Sequence, residues 1–304
     1  NNEIELGDFG LHLQGVQQLF TVSDRRSERY QDSFSLSIVE VHDEKVHDVV
    51  AGTTVGDAKG VVDMDIQKLF DRKKPRRKRP QCEGDSVPGN STTSRSGRSA
   101  KLEIRTNSDG ETIVQGLVSV QVASLEEVID VWKQALTARA MRLNELGIDS
   151  DTYEASSHMI ATLQVVSRNV ATGVGSVGKI QFVDLAGADL IGSQSSSKKS
   201  RSSSVVDGVL APVGNNKEWR FAQKSISTLG EVFQARSQFS RAVPYRNSTL
   251  THLLSDSLEG DTKVMVMICV SSDPHDAQET ASTLRFGTKA KRVNIGKATK
   301  HALH

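Results

Sequence analysis

One short stretch of this chain has residue types suited to handling a phosphate: Asp184-Leu185-Ala186-Gly187-Ala188-Asp189. It follows the run Lys179-Ile180-Gln181-Phe182-Val183, which reads as a strand. In open α/β sheets the carboxyl ends of strands face the ligand crevice. A carboxylate there, such as Asp184, can hold the shell of a Mg²⁺ ion. Gly187 lets the backbone approach a terminal phosphate. D-x-A-G alone also describes an ordinary strand end and turn, so the elements around it must decide.

Those elements follow from periodicity. Residues 33–41 alternate Phe34, Leu36 and Ile38 with serines, as a half-buried strand does, and 44–50 reads as a short helix or turn. Residues 102–105 and 112–122 flank the turn Asn107-Ser108-Asp109-Gly110 and predict a hairpin. Ser124 is placed to cap a helix with Glu126 and Glu127 in its first turn, and Leu125, Val128, Ile129, Trp132 and Leu136 form its apolar stripe. A strand over 159–166 leads through Gly173, Gly175 and Gly178 into the 179–183 strand. Ala222, Ile226, Leu229 and Phe233 mark a long amphipathic helix. Asn247-Ser248 caps another, lined by Leu250, Leu253, Leu254 and Leu258.

Residues 263–270 are nearly all apolar, as a central strand buried on both faces should be, and a last helix is expected over 276–293. The sum is an α/β fold, a mixed central β-sheet with helices on both faces. It forms one domain across 1–304, with flexible insertions at about 71–100 and 192–216.

Composition narrows the classes. The 304 residues are 25% charged with a formal net charge of +1, and no apolar run approaches the ~20 residues of a membrane-spanning helix. Of the two cysteines, Cys82 lies in a polar basic segment and Cys269 in an apolar one, which argues against a disulfide and for a reducing compartment. Seven of the eight residues from 72 to 79 are Lys or Arg. That run reads as a solvated loop, as an arm for a polyanionic partner, or as a nuclear-import signal. It lacks interleaved aromatics, so a nucleic-acid groove is the weakest of these. The histidines show no metal-ligand spacing, and no G-x-S-x-G or Cys/His nucleophile arrangement occurs.

Taken together, the segments resemble the kinesin motor domain. Tyr245-Arg246-Asn247-Ser248-Thr249-Leu250-Thr251-His252-Leu253-Leu254-Ser255-Asp256-Ser257-Leu258-Glu259-Gly260 is similar to the family's Y-R-N-S-K-L-T-R-L-L-x-D-S-L-G-G, departing at Thr249, His252 and Glu259. Glu279-Thr280-Ala281-Ser282-Thr283-Leu284-Arg285-Phe286 resembles E-T-x-S-T-L-R-F, and Lys224-Ser225-Ile226-Ser227-Thr228-Leu229-Gly230 resembles K-S-L-x-A-L-G. The stretch from Ser37 to Val50 is similar to S-x-x-E-I-Y-N-E-x-V-x-D-L-L, and 183–189 to V-D-L-A-G-S-E, the family's switch II. The blocks also stand in the family's order, over about residues 7–296.

The resemblance implies ATP with Mg²⁺ as cofactor, microtubules as partner, and a place in the cytoplasm on the cytoskeleton. It implies catalytic roles for Asp184, Gly187, Asp189, Ser156 and Ser157, and nucleotide and Mg²⁺ contacts for Ser157, His158, Asp184 and Gly187. It implies microtubule contacts for Lys217, Arg220, Lys224, Arg246, His252, Lys198 and Lys199. The match ends near Gly296, as in the C-terminal-motor, minus-end subgroup. Oligomeric state is left open.

The departures modify these expectations. No G-x-x-x-x-G-K-[ST] occurs in the sequence, which implies a fragment whose phosphate loop stands upstream, and tight ATP binding by this chain alone is not expected. The family's switch I reads N-x-x-S-S-R-S-H. With Ser157-His158 as anchor, its Mg²⁺-binding serine falls on Ala155 and its arginine on Ser156. That arginine pairs in the family with a switch II glutamate, here Asp189, so both ends of one ion pair have changed. The alternative expectation is therefore a degenerate kinesin-like module that binds microtubules without productive hydrolysis.

Overall fold

The alternating run of Phe34, Leu36 and Ile38 becomes the middle of a long strand, β1 (Tyr30–His42), in a computed structural model of the chain. The structure describes residues 10–51, 102–107, 110–146, 156–187, 205–206, 209–210, 217–259, 262–293 and 302–303. The basic run 72–79, Ala155, Asp189, Lys198 and Lys199 lie outside the described residues, as does the whole of 71–100. Of 192–216, the description covers only β8 (Val205–Val206) paired with β9 (Val209–Leu210).

After β1 the chain turns back at once into β2 (Lys45–Asp48), where the sequence had predicted a helix or turn. Asp43 and Glu44 take φ of 56° and 57°. Two successive left-handed residues give the turn twist that matches paired strands. Neither residue is glycine, so the turn is held from outside. Glu44 accepts a hydrogen bond from the Thr249 amide (2.6 Å), and its carbonyl accepts from the Thr249 hydroxyl (2.8 Å).

The expected hairpin forms between β3 (Glu103–Thr106) and β4 (Thr112–Gln115), but its second strand is shorter than predicted. Gly116, at φ 84°, turns the chain away, and β5 (Val120–Val122) pairs with β1 instead. Ser124 then caps α2 (Leu125–Leu146), accepting from the Glu127 amide (3.3 Å), while the Glu127 carboxylate reaches back to the Ala123 amide (2.7 Å). The buried stripe of α2 is Leu125, Val128, Val131 and Ala135. Leu136, assigned to that stripe from the sequence, is 43% exposed, because Val131 and Ala135 face the sheet in its place.

β6 (His158–Asn169) and β7 (Gly175–Asp184) form a long hairpin that extends the sheet on the other side of β1. With β10 (Ala302–Leu303) on the far edge, the order is β10-β7-β6-β1-β2, and β5 shares the β2 side of β1. Every described pairing is antiparallel. Helices cover both faces. α1 (Leu11–Arg25) and α2 pack on Phe34, Leu36, Ile38, Met159, Ala161 and Leu163. On the opposite face, Val39, Val41 and Ile160 meet α3 (Lys217–Ser237), α4 (Thr249–Leu253), α5 (Ser255–Glu259) and α6 (Ala277–Lys291). This alternation of neighbouring residues between two cores is what a strand buried on both faces requires.

One expected strand is missing. Residues 263–270 carry no strand pairing, and Met265 (80%) and Met267 (58%) are exposed. Its residue types suit a strand, yet among the described residues no neighbour offers it a ladder of hydrogen bonds. It leans on α6 through Ile268, which lies so close to Gly287 that a Cβ there would meet it at 2.8 Å.

Candidate functional site

Asp184 closes β7 opposite Met159, with its side chain exposed to solvent. The chain then leaves the sheet through residues 185–187, burying Ala186 while Gly187 stays half-exposed. Asp184 lies near His12 at the start of α1. Burial lowers the proton affinity of that imidazole, and the Asp184 carboxylate partly offsets the effect. The His12 ring stacks on Trp132, 4.5 Å between centroids, which ties the start of α1 to α2.

Ser156, Ser157 and His158 stand where the neighbouring strand β6 begins, and all three are buried. Ser157 accepts a 2.7 Å hydrogen bond from Arg139 of α2. The same guanidinium reaches Glu40 of β1 at 3.0 Å, and Arg142 adds a second cation at 3.5 Å. Glu40 is fully buried, so these partners are what allow a carboxylate to stay in the sheet's interior. In the sequence Glu40 stands only as one position of the Ser37–Val50 motif. The overlooked signal was a lone carboxylate inside the apolar run Ile38-Val39-Glu40-Val41.

His158 is 1% exposed and uses both ring nitrogens within the protein. Nδ1 lies 2.9 Å from the Ala186 amide, and Nε2 lies 2.8 Å from the Ser225 hydroxyl of α3. Burial pushes its pKa down to about 4, so the ring is neutral near pH 7. The nucleotide contacts expected of Ser157 and His158 are thus not what the geometry offers. Ser157 faces a guanidinium, a poor place for a metal cation, and His158 has no nitrogen free for a ligand. Asp184 and Gly187, by contrast, line an open strand end. Among the described residues there is no group of three or more His, Cys, Asp or Glu that could hold a metal ion by itself.

The expected cationic face is partly described. Arg220 and Lys224 lie on one helix, α3, and Arg246 and His252 on the block that packs beneath it. Lys217 begins α3, but its side chain lies outside the described residues. Lys224 stands 3.8 Å from the Glu44 carboxylate, the same residue that grips Thr249. Burial lowers the proton affinity of His252, and the nearby Arg246 charge lowers it further, so this position is neutral near pH 7.

The architecture is thus a sheet covered by helices on both faces, with a D-x-A-G loop at a strand end beside α3, the helix that carries Arg220 and Lys224. A family model described as the kinesin motor domain matches residues 5–293, and the chain belongs to that family. It is 30% identical to the kinesin-like protein KIN-14R of Arabidopsis thaliana over 291 residues, covering 96% of this chain and 21% of that protein. With klp-3 of Caenorhabditis elegans it shares 32% identity over 192 residues, 63% of this chain and 29% of that protein. A structure of a fast kinesin superposes with a TM-score of 0.67 at 24% identity, covering 99% of this chain and 68% of that one. The motor and motor homology domain of Kar3Vik1 gives 0.61 at 24%, over 92% and 57%. The chain spans about a fifth of the length of the first curated relative.

Proposed function

We propose that this chain is the switch and track-binding part of a kinesin-type motor, whose parent protein hydrolyses ATP with Mg²⁺ and moves along microtubules in the cytoplasm. The observation that carries this reading is the meeting of the strand-end loop 184–187 with α3, the helix bearing Arg220 and Lys224, at one buried residue. A loop that senses phosphate and a helix that meets an acidic track must touch if nucleotide state is to alter affinity. Bound Mg²⁺ would neutralise charge building on the phosphates, and Asp184 would hold its water shell. Gly187 would bring a backbone amide to the terminal phosphate, with Asp189 following. Ser156, Ser157 and His158 would act by holding that loop and the start of β6 in register.

On the track side, Arg220, Lys224 and Arg246, with Lys198, Lys199 and Lys217, would steer docking to the acidic tubulin surface as a set, since each exposed charge contributes little alone. The test uses the full parent protein in microtubule co-sedimentation and phosphate release. Microtubule-stimulated turnover with ATP-sensitive binding is the expected result. Binding that ignores nucleotide, with no stimulated turnover, would leave only a passive microtubule module and overturn the motor.

A further inference from the structure

The structure assigns His158 a role of its own: it is the positioning residue that couples the strand-end loop 184–187 to helix α3, and it does so in a single fixed tautomer. Residues 158, 186 and 225 are remote in sequence, and the imidazole hydrogen-bonds to both of the others, beside the apolar contact of Ala186 with Ala222 of α3.

The tautomer follows from counting hydrogens. The Ala186 amide can only donate, so Nδ1 must be the bare, accepting nitrogen. Ser225 has one hydroxyl hydrogen, and its oxygen lies 2.9 Å from the carbonyls of both Phe221 and Ala222, one helical turn back. Those carbonyls can only accept, so they take that hydrogen. The Ser225 oxygen is then an acceptor, and Nε2 must carry the proton that fills it. Each polar atom in the chain Ala186 amide, His158, Ser225, α3 carbonyl has one role, and no other assignment satisfies all of them.

Mechanical consequences follow from the ring's rigidity. Its two nitrogens keep a fixed separation, so a shift of the Ala186 amide drags the ring or breaks the bond. A shift of the ring is passed to the first half of α3, where Arg220 and Lys224 lie. The ring is sealed from solvent, so no water stands ready to replace a broken contact. The anchor on the other side is stiff too: Ser157, the preceding residue, is held by Arg139, itself paired with Glu40. The functional meaning of this joint rests on the motor reading above, but its existence does not.

The test is run on this chain without nucleotide or microtubules, so its failure and the failure of the motor reading are separate results. Two-bond ¹H–¹⁵N correlation on the wild-type protein reads the tautomer directly. A bare Nδ1 and a protonated Nε2 are expected, and a proton on Nδ1 overturns the proposal whether or not any variant folds. Amide exchange at Ala186 then reads the coupling. His158→Asn keeps an acceptor near the Nδ1 position and should leave Ala186 protection close to wild type. His158→Gln reaches the Nε2 position but leaves Ala186 unpaired, and should speed its exchange by about tenfold. Ser225→Ala, on a different element, should also speed exchange at Ala186 by several-fold while the Ile160 amide in β6 stays unchanged. Equal effects on Ala186 and Ile160 would mean a merely structural role, and no effect of Ser225→Ala would mean no coupling.

Discussion

Two apolar strand sequences in this molecule have opposite fates. β6 (His158–Asn169) lies between β1 and β7, alternates its side chains between two cores, and buries even a histidine at its first position. Residues 263–270 are more uniformly apolar, yet among the described residues they have no strand partner, and Met265 and Met267 are exposed. The difference teaches that hydrophobicity nominates a strand, while backbone pairing on both edges makes it one. The same sheet centre tolerates Glu40 because Arg139 and Arg142 come to meet it. Burial here is decided by partners rather than by residue type.

That contrast can be broken most severely at the ion pair. Arg139→Met takes from the fully buried Glu40 its 3.0 Å guanidinium partner, and should cost about 3 kcal/mol or more in urea unfolding. A loss below about 1 kcal/mol would mean that water reaches Glu40 and that the sheet centre is not sealed.

Next in size is a matched pair of truncations. Leu163→Ala, at a position with no exposed surface in β6, should lose about 3 kcal/mol. Met265→Ala, in the unpaired segment, should stay within about 0.5 kcal/mol. Equal losses would erase the distinction between the two segments.

A smaller effect comes from His47 on the edge strand β2. Burial lowers its pKa to about 4, helped by the charges of Arg142, His42 and Lys45. The unfolded imidazole takes its proton near the usual 6.5 and the folded one only near 4. The unfolded state therefore binds more protons in that window. Stability is fully present above about pH 6.5 and falls as pH drops toward 4. His47 is half-exposed, so screening limits its share to about 1 kcal/mol. His47→Gln should flatten that part of a pH titration of unfolding midpoints, and an unchanged slope would assign it elsewhere.

The smallest change is expected at the cationic face. Lys224→Ala removes an exposed ion pair to Glu44 at 3.8 Å and should alter stability by less than about 1 kcal/mol. A larger loss would show that the Asp43-Glu44 turn depends on Lys224 as well as on Thr249.

Much of the fold was legible because periodicity and caps are local properties. The serine caps at Ser124 and Ser248 and the leucine stripe of residues 250–258 follow from the sequence pattern and are found as expected. Strand β2 was not legible in a stretch that reads as a helix or turn, because Asp43 and Glu44 are poor left-handed residues and Thr249, remote in sequence, helps to hold them there. The α2 stripe was rotated by one residue at Leu136, since helical spacing fixes a face but not which way it turns. At the candidate site, Asp184 and Gly187 were placed at an open strand end by pattern alone. Ser157 and His158 were expected to face a ligand, and their partners Arg139, Ser225 and Ala186 lie on three separate elements that no window of sequence joins.

By itself, then, the sequence determined the helix caps and most of the long helices and strands, the order of the kinesin-like blocks, and the position of the D-x-A-G loop after an apolar strand. These follow from local spacing and from residue chemistry. Tertiary structure alone decided that a carboxylate could be buried at Glu40, that 263–270 would find no strand partner among the described residues, and that His158 would serve the protein's own loop and helix. The physical reason is the same in each case. The free energy of a buried polar group or an unpaired strand is set by what lies across from it, and that neighbour is brought there by the fold.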